Sequence, residues 1–195
     1  MPPKCRFSEE QIMDCALDIV RAQGMSGLTA RAAADRLGAS TKVIFGYFAD
    51  MQALRARVMD AADALYQRRI ADDMAAGLYP PYKASGMAYI RFAREEKQLF
   101  RLLFMRDRTN EDVRAREGDL APFVRMIRDA AGVSEETALR MHLELWVYVH
   151  GIATMIVTGY LDWDMETVSD MLTDVYRGIM ARFAPKGGDL LNGSD

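Results

Sequence analysis

Apolar residues recur with a helical period through almost the whole chain, and no stretch alternates polar and apolar residues for long enough to predict a strand. The first periodic stripe consists of Ile12, Ala16, Ile19 and Val20. Ser8 and Gln11 in front of it form a capping-box pattern, and Gly24 behind it suits the left-handed residue that ends many helices. The pattern predicts an all-α fold whose first helix begins after Ser8 and ends at Gln23.

Two short helices separated by a glycine turn follow the first helix. The earlier one is predicted over Ala30–Leu37 with Thr29 as its cap, and the later one is capped by Ser40 and ends near Tyr47. Gly38-Ala39 forms the tight turn between them. Two short capped helices at this spacing are typical of a helix-turn-helix.

A long helix capped by Asp50, predicted over about residues 51–76, follows without any flexible linker. We therefore expect it to belong to both the part before it and the part after it. The remaining predicted helices are Tyr82–Arg94, Lys97–Met105, Glu111–Ala131 with Asn110 as its cap, Glu135–Thr158 and Met165–Phe183. The sequence thus predicts about nine helices, with a helix-turn-helix domain over residues 1–50, a helical bundle over residues 51–184 and a disordered tail over residues 185–195.

Charge adds weak support for a nucleic-acid contact near the N-terminus. The chain has 195 residues, is 50% hydrophobic and carries a net charge of −3, but Met1 to Arg57 contains eight basic and six acidic residues. This segment is therefore +2 and the remainder −5. A charge of +2 is small beside the basic patches of most DNA-binding domains, so the charge alone does not decide the function.

Cysteine usage and hydropathy predict a cytoplasmic protein. Cys5 and Cys15 form no disulfide framework and have no zinc-ligand spacing around them, so we expect reduced thiols. The first residues lack the apolar stretch of a signal peptide. The longest uncharged run, residues 145–161, is just short of a membrane span and contains polar residues, and a buried helix is the better interpretation.

The run from Gly38 to Leu54 reads GASTKVIFGYFADMQAL, and it resembles the TetR-family fingerprint G-V-S-x-x-x-L-Y-x-Y-F-x-x-K-x-x-L. The preceding segment, Gly24 to Arg31, resembles the entry of that family into its second helix. Together the resemblance covers about the first 60 residues. It implies a transcriptional regulator whose third helix lies in the major groove of DNA.

By this resemblance, Thr41, Lys42 and Gly46 would face base edges, and Lys42 and Arg31 are the candidates for reading guanine. Other polar residues would bind phosphates and set the register. The complete set of predicted DNA-binding residues is Thr29, Arg31, Ser40, Thr41, Lys42, Gly46 and Tyr47, of which Thr29, Ser40 and Tyr47 are the phosphate ligands.

Two positions depart from the family pattern. Phe45 stands where the family usually has a phosphate-binding tyrosine, and Met51 stands where it usually has a phosphate-binding lysine. Because phosphate contacts supply much of the salt-dependent binding energy, both changes predict weaker DNA binding. The basic residues available for compensation are Arg55, Arg57, Lys4 and Arg6, and for Arg55 and Arg57 a solvated surface charge is an equally good interpretation.

Two later segments, Glu95–Phe104 and Leu145–Gly151, resemble a TetR C-terminal subclass marked by Trp, His and Gly. This resemblance implies a bundle that senses a ligand and dimerises. The surplus of Met and aromatic side chains suits a pocket for a small hydrophobic or aromatic molecule, although ordinary cores have the same composition. The predicted ligand-binding residues are Phe100, Phe104, Phe123, Met126, Met141, Trp146 and His150.

The predicted helix Glu135–Thr158 is apolar around its whole circumference in its second half, so something outside its own bundle must cover it. A second copy of the chain, paired through this helix and the last one across a two-fold axis, is the simplest covering. The predicted dimer-interface residues are Gly151, Met155, Thr158, Val168, Met171, Leu172, Val175 and Ile179.

We interpret the sequence as a homodimeric, ligand-responsive repressor that binds a palindromic operator in double-stranded DNA. No cofactor, metal or membrane partner is expected. One alternative is a ligand-binding helical module with weakened DNA binding. Another is a helical-bundle enzyme, but neither His142 nor His150 has the glutamate three residues before it that a di-iron site requires, and no phosphate loop or nucleophile-base arrangement is present.

Overall fold

The structure, a computed structural model, describes residues 7–107, 109 and 117–183. Within this part of the chain it contains nine α-helices, one 3-10 turn at Met25–Gly27 and no strand, which confirms the predicted all-α class. The helices are α1 Glu9–Gln23, α2 Ala30–Leu37, α3 Thr41–Phe45, α4 Met51–Ala75, α5 Pro81–Glu95, α6 Lys97–Phe104, α7 Glu117–Ala131, α8 Glu135–Thr158 and α9 Met165–Phe183.

Local capping chemistry explains most of the helix starts. Ser8 and Gln11 form the reciprocal capping box, with the Ser8 amide donating to Gln11 Oε1 at 2.9 Å and the Gln11 amide donating to Ser8 Oγ at 3.2 Å. Asp50 accepts from the Ala53 amide at 2.8 Å at the start of α4. Thr29, Ser134 and Asp164 accept in the same way at α2, α8 and α9.

Helix α3 begins after Ser40 as predicted but is shorter at its other end. It ends at Phe45 rather than near Tyr47, and in the turn that follows the Tyr47 and Phe48 amides donate to Ile44 O. Ser40 occupies the N-cap position, but its side chain makes no capping hydrogen bond, and only its carbonyl accepts, from the Val43 amide at 3.0 Å. The predicted start of α7 at Glu111, its Asn110 cap and the tail over residues 185–195 lie outside the described residues.

The chain folds into two compact units. The first comprises the chain up to Arg69 together with Phe92–Asp107, so helix α6 belongs to the same unit as the helix-turn-helix. Arg21 on α1 reaches the start of α6, where its Nε lies 3.0 Å from Glu96 Oε2 and its Nη2 lies 3.1 Å from Glu96 Oε1. This hydrogen bond raises the pKa of Arg21. The apolar interior is formed by Ile12, Ala16, Ile19, Val20, Ala33, Ala34, Ile44, Phe48, Leu54, Val58, Leu99 and Phe100.

The second unit comprises Ile70–Arg91 and the chain from Arg108 onwards. Its interior lies between α7 and α8, where the buried side chains of Val124, Ile127, Ala138, Met141 and Leu145 meet, and α9 side chains pack against them. Helices α4 and α5 each contribute residues to both units. Among the described residues, no helix combines the length and the hydropathy that crossing a membrane requires.

Candidate DNA-binding surface, ligand-binding region and dimer face

Helix α3 is fixed on one side and exposed on the other. Ile44 is fully buried and Phe48 is 4% exposed, so they anchor the short helix to the interior of the first unit. Thr41 and Lys42, which lie on the same helix, are exposed. A polar, outward face on a rigidly seated short helix is the geometry that base reading in a major groove requires.

The other predicted DNA-binding residues are also at the surface, and three of them already have partners within the chain. Arg31 on α2 is exposed, with its Nε 3.9 Å from Asp35 Oδ2. Thr29 is exposed, but its hydroxyl accepts from the Ala32 amide as the cap of α2. Tyr47 is 36% exposed, and its hydroxyl donates to the Phe7 carbonyl at 2.7 Å. Ser40 and Gly46 are exposed as well.

The positions that depart from the family pattern lie close to this surface. Phe45 is 46% exposed at the end of α3, and Met51 is half-buried at the start of α4. Of the predicted compensating residues, Arg55 donates from Nη2 to the Leu28 carbonyl at 3.2 Å and Arg57 pairs with Glu9 at 3.3 Å. Both arginines therefore already have a partner within the chain. Lys4 and Arg6 lie outside the described residues.

The predicted ligand-binding residues are divided between the two units, and Phe100 and Phe104 lie in the first. Phe100 on α6 is fully buried, with its ring 4.9 Å from that of Phe104. The Phe104 ring in turn meets the Tyr66 ring at 5.0 Å, and Tyr66 meets Phe92 at 5.3 Å. Burial raises the pKa of the Tyr66 hydroxyl. Phe100 is therefore a core residue of the first unit, and its contact with a ligand stays a prediction.

The other five predicted ligand residues lie in the second unit. Met141 is fully buried, whereas Phe123 and Met126 on α7 are partly exposed. Trp146 is 42% exposed and stacks on His150 at 5.2 Å, and the Tyr89 hydroxyl lies 2.8 Å from His150 Nδ1. Burial lowers the pKa of His150, so its ring is neutral near pH 7.

A second tyrosine-histidine pair, which the sequence analysis did not select, lies two turns away on the same helices. The Tyr82 hydroxyl is 2.9 Å from His142 Nδ1, and the Phe123 ring stacks on His142 with an interplanar angle of 2°. Burial lowers the pKa of His142 and raises that of Tyr82. The two tyrosines lie two turns apart on α5, and the two histidines lie two turns apart on α8. This shared spacing is the sequence signal that could have predicted the second pair.

An open depression of about 270 Å³ lies against α7 and contains none of the predicted ligand residues. It is lined by Ala121, Val124, Arg125, Arg128 and Glu135. Among the described residues, no group of three or more His, Cys, Asp and Glu side chains is placed to hold a metal ion.

The predicted dimer residues divide into buried and exposed sets. Val168 is fully buried and Leu172 is 6% exposed within their own unit, and Leu172 Cδ1 lies 3.5 Å from where a Cβ on Gly86 of α5 would be. Both are therefore core residues of their own unit. Met171, Val175 and Ile179 are partly buried, whereas Met155 and Thr158 are exposed.

A face of α8 that the dimer prediction did not include is more exposed than most of these residues. It starts in the first half of the helix and consists of Leu139, Leu143, Trp146 and Val147, which are 38%, 45%, 42% and 64% exposed. We call these four residues the α8 face. Gly151 lies on the same helix with open space where a Cβ would be, which permits close approach of another chain.

Comparison with known proteins agrees with this architecture. Residues 82–177 match the family described as Tetracyclin repressor-like, C-terminal domain. No curated protein sequence matches the chain significantly.

Solved structures resemble the chain along most of its length. A TetR-like transcriptional regulator from Rhodococcus sp. RHA1 has a TM-score of 0.66 at 14% identity and covers 89% of this chain and 95% of its own. A protein of unknown function from the same organism has a TM-score of 0.68 at 23% identity, with 95% and 100% covered. A TetR variant from Acinetobacter baumannii AYE, in complex with minocycline, has a TM-score of 0.51 at 17% identity, with 91% and 97% covered.

These structures establish a shared fold, and the match over residues 82–177 adds a sequence relationship in the bundle. The narrower Trp-His-Gly subclass stays a prediction. The family match over residues 82–177, behind an N-terminal helix-turn-helix, identifies the chain as a member of the TetR family of transcriptional regulators.

Proposed function

We propose that the chain is a homodimeric repressor that binds a palindromic operator and responds to a small hydrophobic or aromatic molecule in its second unit. The observation that carries the proposal is the exposed polar face of α3, whose other side is anchored by the fully buried Ile44. Thr41 and Lys42 on this face would contact base edges, and Arg31 on α2 would be a further reader of guanine.

Homodimerisation is supported by the α8 face. Four apolar side chains on one helix, each 38–64% exposed, form the kind of surface that an oligomeric protein buries against its partner. Two-fold symmetry would present two copies of α3 to the two halves of an inverted repeat. Gly151 and the exposed Met155 and Thr158 would extend this contact along α8.

The family of this chain and one structural neighbour support a response to a small molecule. The structural neighbour from Acinetobacter baumannii binds minocycline, and we infer a small organic effector for this chain as well. Helix α4 contributes to both units, so it is a direct route by which binding in the second unit can alter the first. The effector must favour one of two dimer states, because a ligand that binds both equally shifts neither.

The proposal is tested by selecting bound sequences from random DNA and then measuring affinity for the selected site. We expect an inverted repeat, and we expect Lys42→Ala to weaken binding by about tenfold or more because it removes a base contact. Lys97→Ala is the matched control, since it removes the same charge from an exposed position on α6. Wild-type binding no tighter than that of Lys42→Ala would favour the alternative of a helical module with weakened DNA binding.

The two departures from the family pattern give a separate prediction. Met51→Lys should raise operator affinity and steepen the dependence of log affinity on log salt by about 0.9, because one more phosphate is neutralised. Phe45→Tyr should raise affinity by about tenfold or more, because its uncharged hydroxyl would donate a hydrogen bond to a phosphate, with no change in that slope. Fluorescence anisotropy over a series of salt concentrations measures both. Equal slopes for Met51→Lys and the wild type would show that residue 51 does not face a phosphate.

A further inference from the structure

His142 has a ring nitrogen that is buried and lacks a hydrogen-bond partner. The residue is 6% exposed, and its Nε2 atom is enclosed with no partner among the described residues. Buried polar side-chain atoms in folded proteins nearly always form a hydrogen bond, because burying them unpaired is destabilising. The orphaned nitrogen therefore points to a group that binds there.

The other ring nitrogen identifies what kind of partner Nε2 requires. Tyr82 Oη lies 2.9 Å from His142 Nδ1. If Tyr82 donates to Nδ1, the ring proton is on Nε2 and only that proton is unpaired. If Nδ1 donated instead, both the Tyr82 proton and the Nε2 lone pair would be unpaired. The first arrangement leaves fewer unpaired groups, so Nε2 is a donor that needs an acceptor.

The surroundings of this donor are aromatic. Phe123 stacks on the His142 ring at 5.6 Å, Tyr82 meets it edge-on at 5.9 Å, and Tyr176 lies 6.2 Å from Tyr82. A buried water needs about 2–4 polar partners, whereas the ring contacts of His142 are with Phe123 and Tyr82. A carboxylate would lose its hydration for a single bond from a neutral ring, which is unfavourable. A neutral acceptor on a flat, apolar molecule fits both the donor and the rings.

Access to His142 depends on helix α7. Phe123 is partly exposed, so it is the ring that an incoming molecule would displace or stack upon. Its neighbour Pro122 lies inside α7 and cannot donate the backbone hydrogen bond of that turn, which reduces the resistance of this segment to movement.

We propose that His142 Nε2 is the polar anchor of an effector site between α5, α7 and α8, and that the effector is a neutral, planar organic molecule with a carbonyl or similar oxygen acceptor. The proposal rests on the proposed function, since it names the ligand chemistry of the second unit. It assigns the orienting role to His142, with Tyr82 fixing its tautomer.

The test uses the full chain with isotope-labelled histidine, which contains only two histidines and so gives an uncrowded NMR spectrum. His150→Gln assigns the signals. The probe is coumarin, a planar neutral molecule with one carbonyl, and the control is chromene, which has the same rings without the carbonyl. We expect coumarin to shift the Nε2 resonance of His142 and chromene to leave it unchanged.

Two substitutions separate an anchoring role from a structural one. An asparagine amide overlays Nδ1 and a glutamine amide overlays Nε2. His142→Asn should therefore weaken coumarin binding by about tenfold, whereas His142→Gln should retain it. Thermal unfolding of both variants monitors folding. An unchanged His142 signal at millimolar coumarin, equal effects of chromene, or full binding by His142→Asn would each overturn the proposal. Failure of the same protein to bind any selected DNA would instead overturn the proposed function.

Discussion

Phe100→Ala is expected to lower the free energy of unfolding by about 3–5 kcal/mol, the cost of truncating a fully buried phenylalanine. The ring is 0% exposed and packs against Phe104, so its removal leaves a cavity inside the first unit. Equilibrium urea denaturation followed by circular dichroism measures the loss. Phe100→Leu keeps most of the volume and should cost less than about 1.5 kcal/mol.

The same variants distinguish the two roles considered for Phe100. A core residue changes stability in proportion to the volume removed, whereas a ligand-lining residue changes the response of operator affinity to an effector. An unfolding midpoint of Phe100→Ala equal to that of the wild type would contradict the packing and restore the ligand-lining interpretation.

Val147→Asp is expected to convert the proposed dimer to monomers. Val147 is 64% exposed on the α8 face, and at a two-fold interface the substitution would place two unpaired carboxylates in an apolar contact. We expect the dimer dissociation constant to rise by about a thousandfold or more. Sedimentation velocity over a range of concentrations measures it. Operator affinity should fall as well, because each monomer can read only one half-site.

Leu78→Asp is the matched control for Val147→Asp. Leu78 is 76% exposed, so the substitution adds the same charge at an equally accessible apolar position that lies outside α8. We expect it to remain dimeric with native operator affinity. If Val147→Asp stayed dimeric, the α8 face would not be the subunit interface.

Features governed by local chemistry could be predicted from the sequence. The capping boxes and caps at Ser8, Thr29 and Asp50 set helix starts that depend on neighbours three residues away, and the structure has those hydrogen bonds. The bounds of α8 and α9 follow for the same reason, since capping residues and apolar periodicity define them. Ser40 is the exception, because it occupies the cap position without the side-chain bond.

Features that depend on tertiary packing could not be predicted in the same way. Periodicity identifies an apolar stripe but not what covers it, so Val168 and Leu172 were assigned to a partner although their own unit buries them. Leu143 and Val147 are exposed, but they are the same residue types that occupy core positions, so the sequence does not identify them as surface residues. Similarly, aromatic content favoured Phe100 and Trp146 alike as pocket residues, although one is in a closed core and the other at the surface.

The discontinuous make-up of the first unit limits how such a regulator can be divided and recombined. The first unit, which contains the helix-turn-helix, also includes Phe92–Asp107, and Arg21 hydrogen-bonds to Glu96 at the start of α6. A fragment that stopped after α4 would lose this closing segment and expose the part of α1 that packs against α6. A chimera that joins this DNA-binding unit to the ligand-binding unit of another protein would therefore have to include α6. The two units consist of alternating segments of the chain, so neither can be exchanged as one continuous segment.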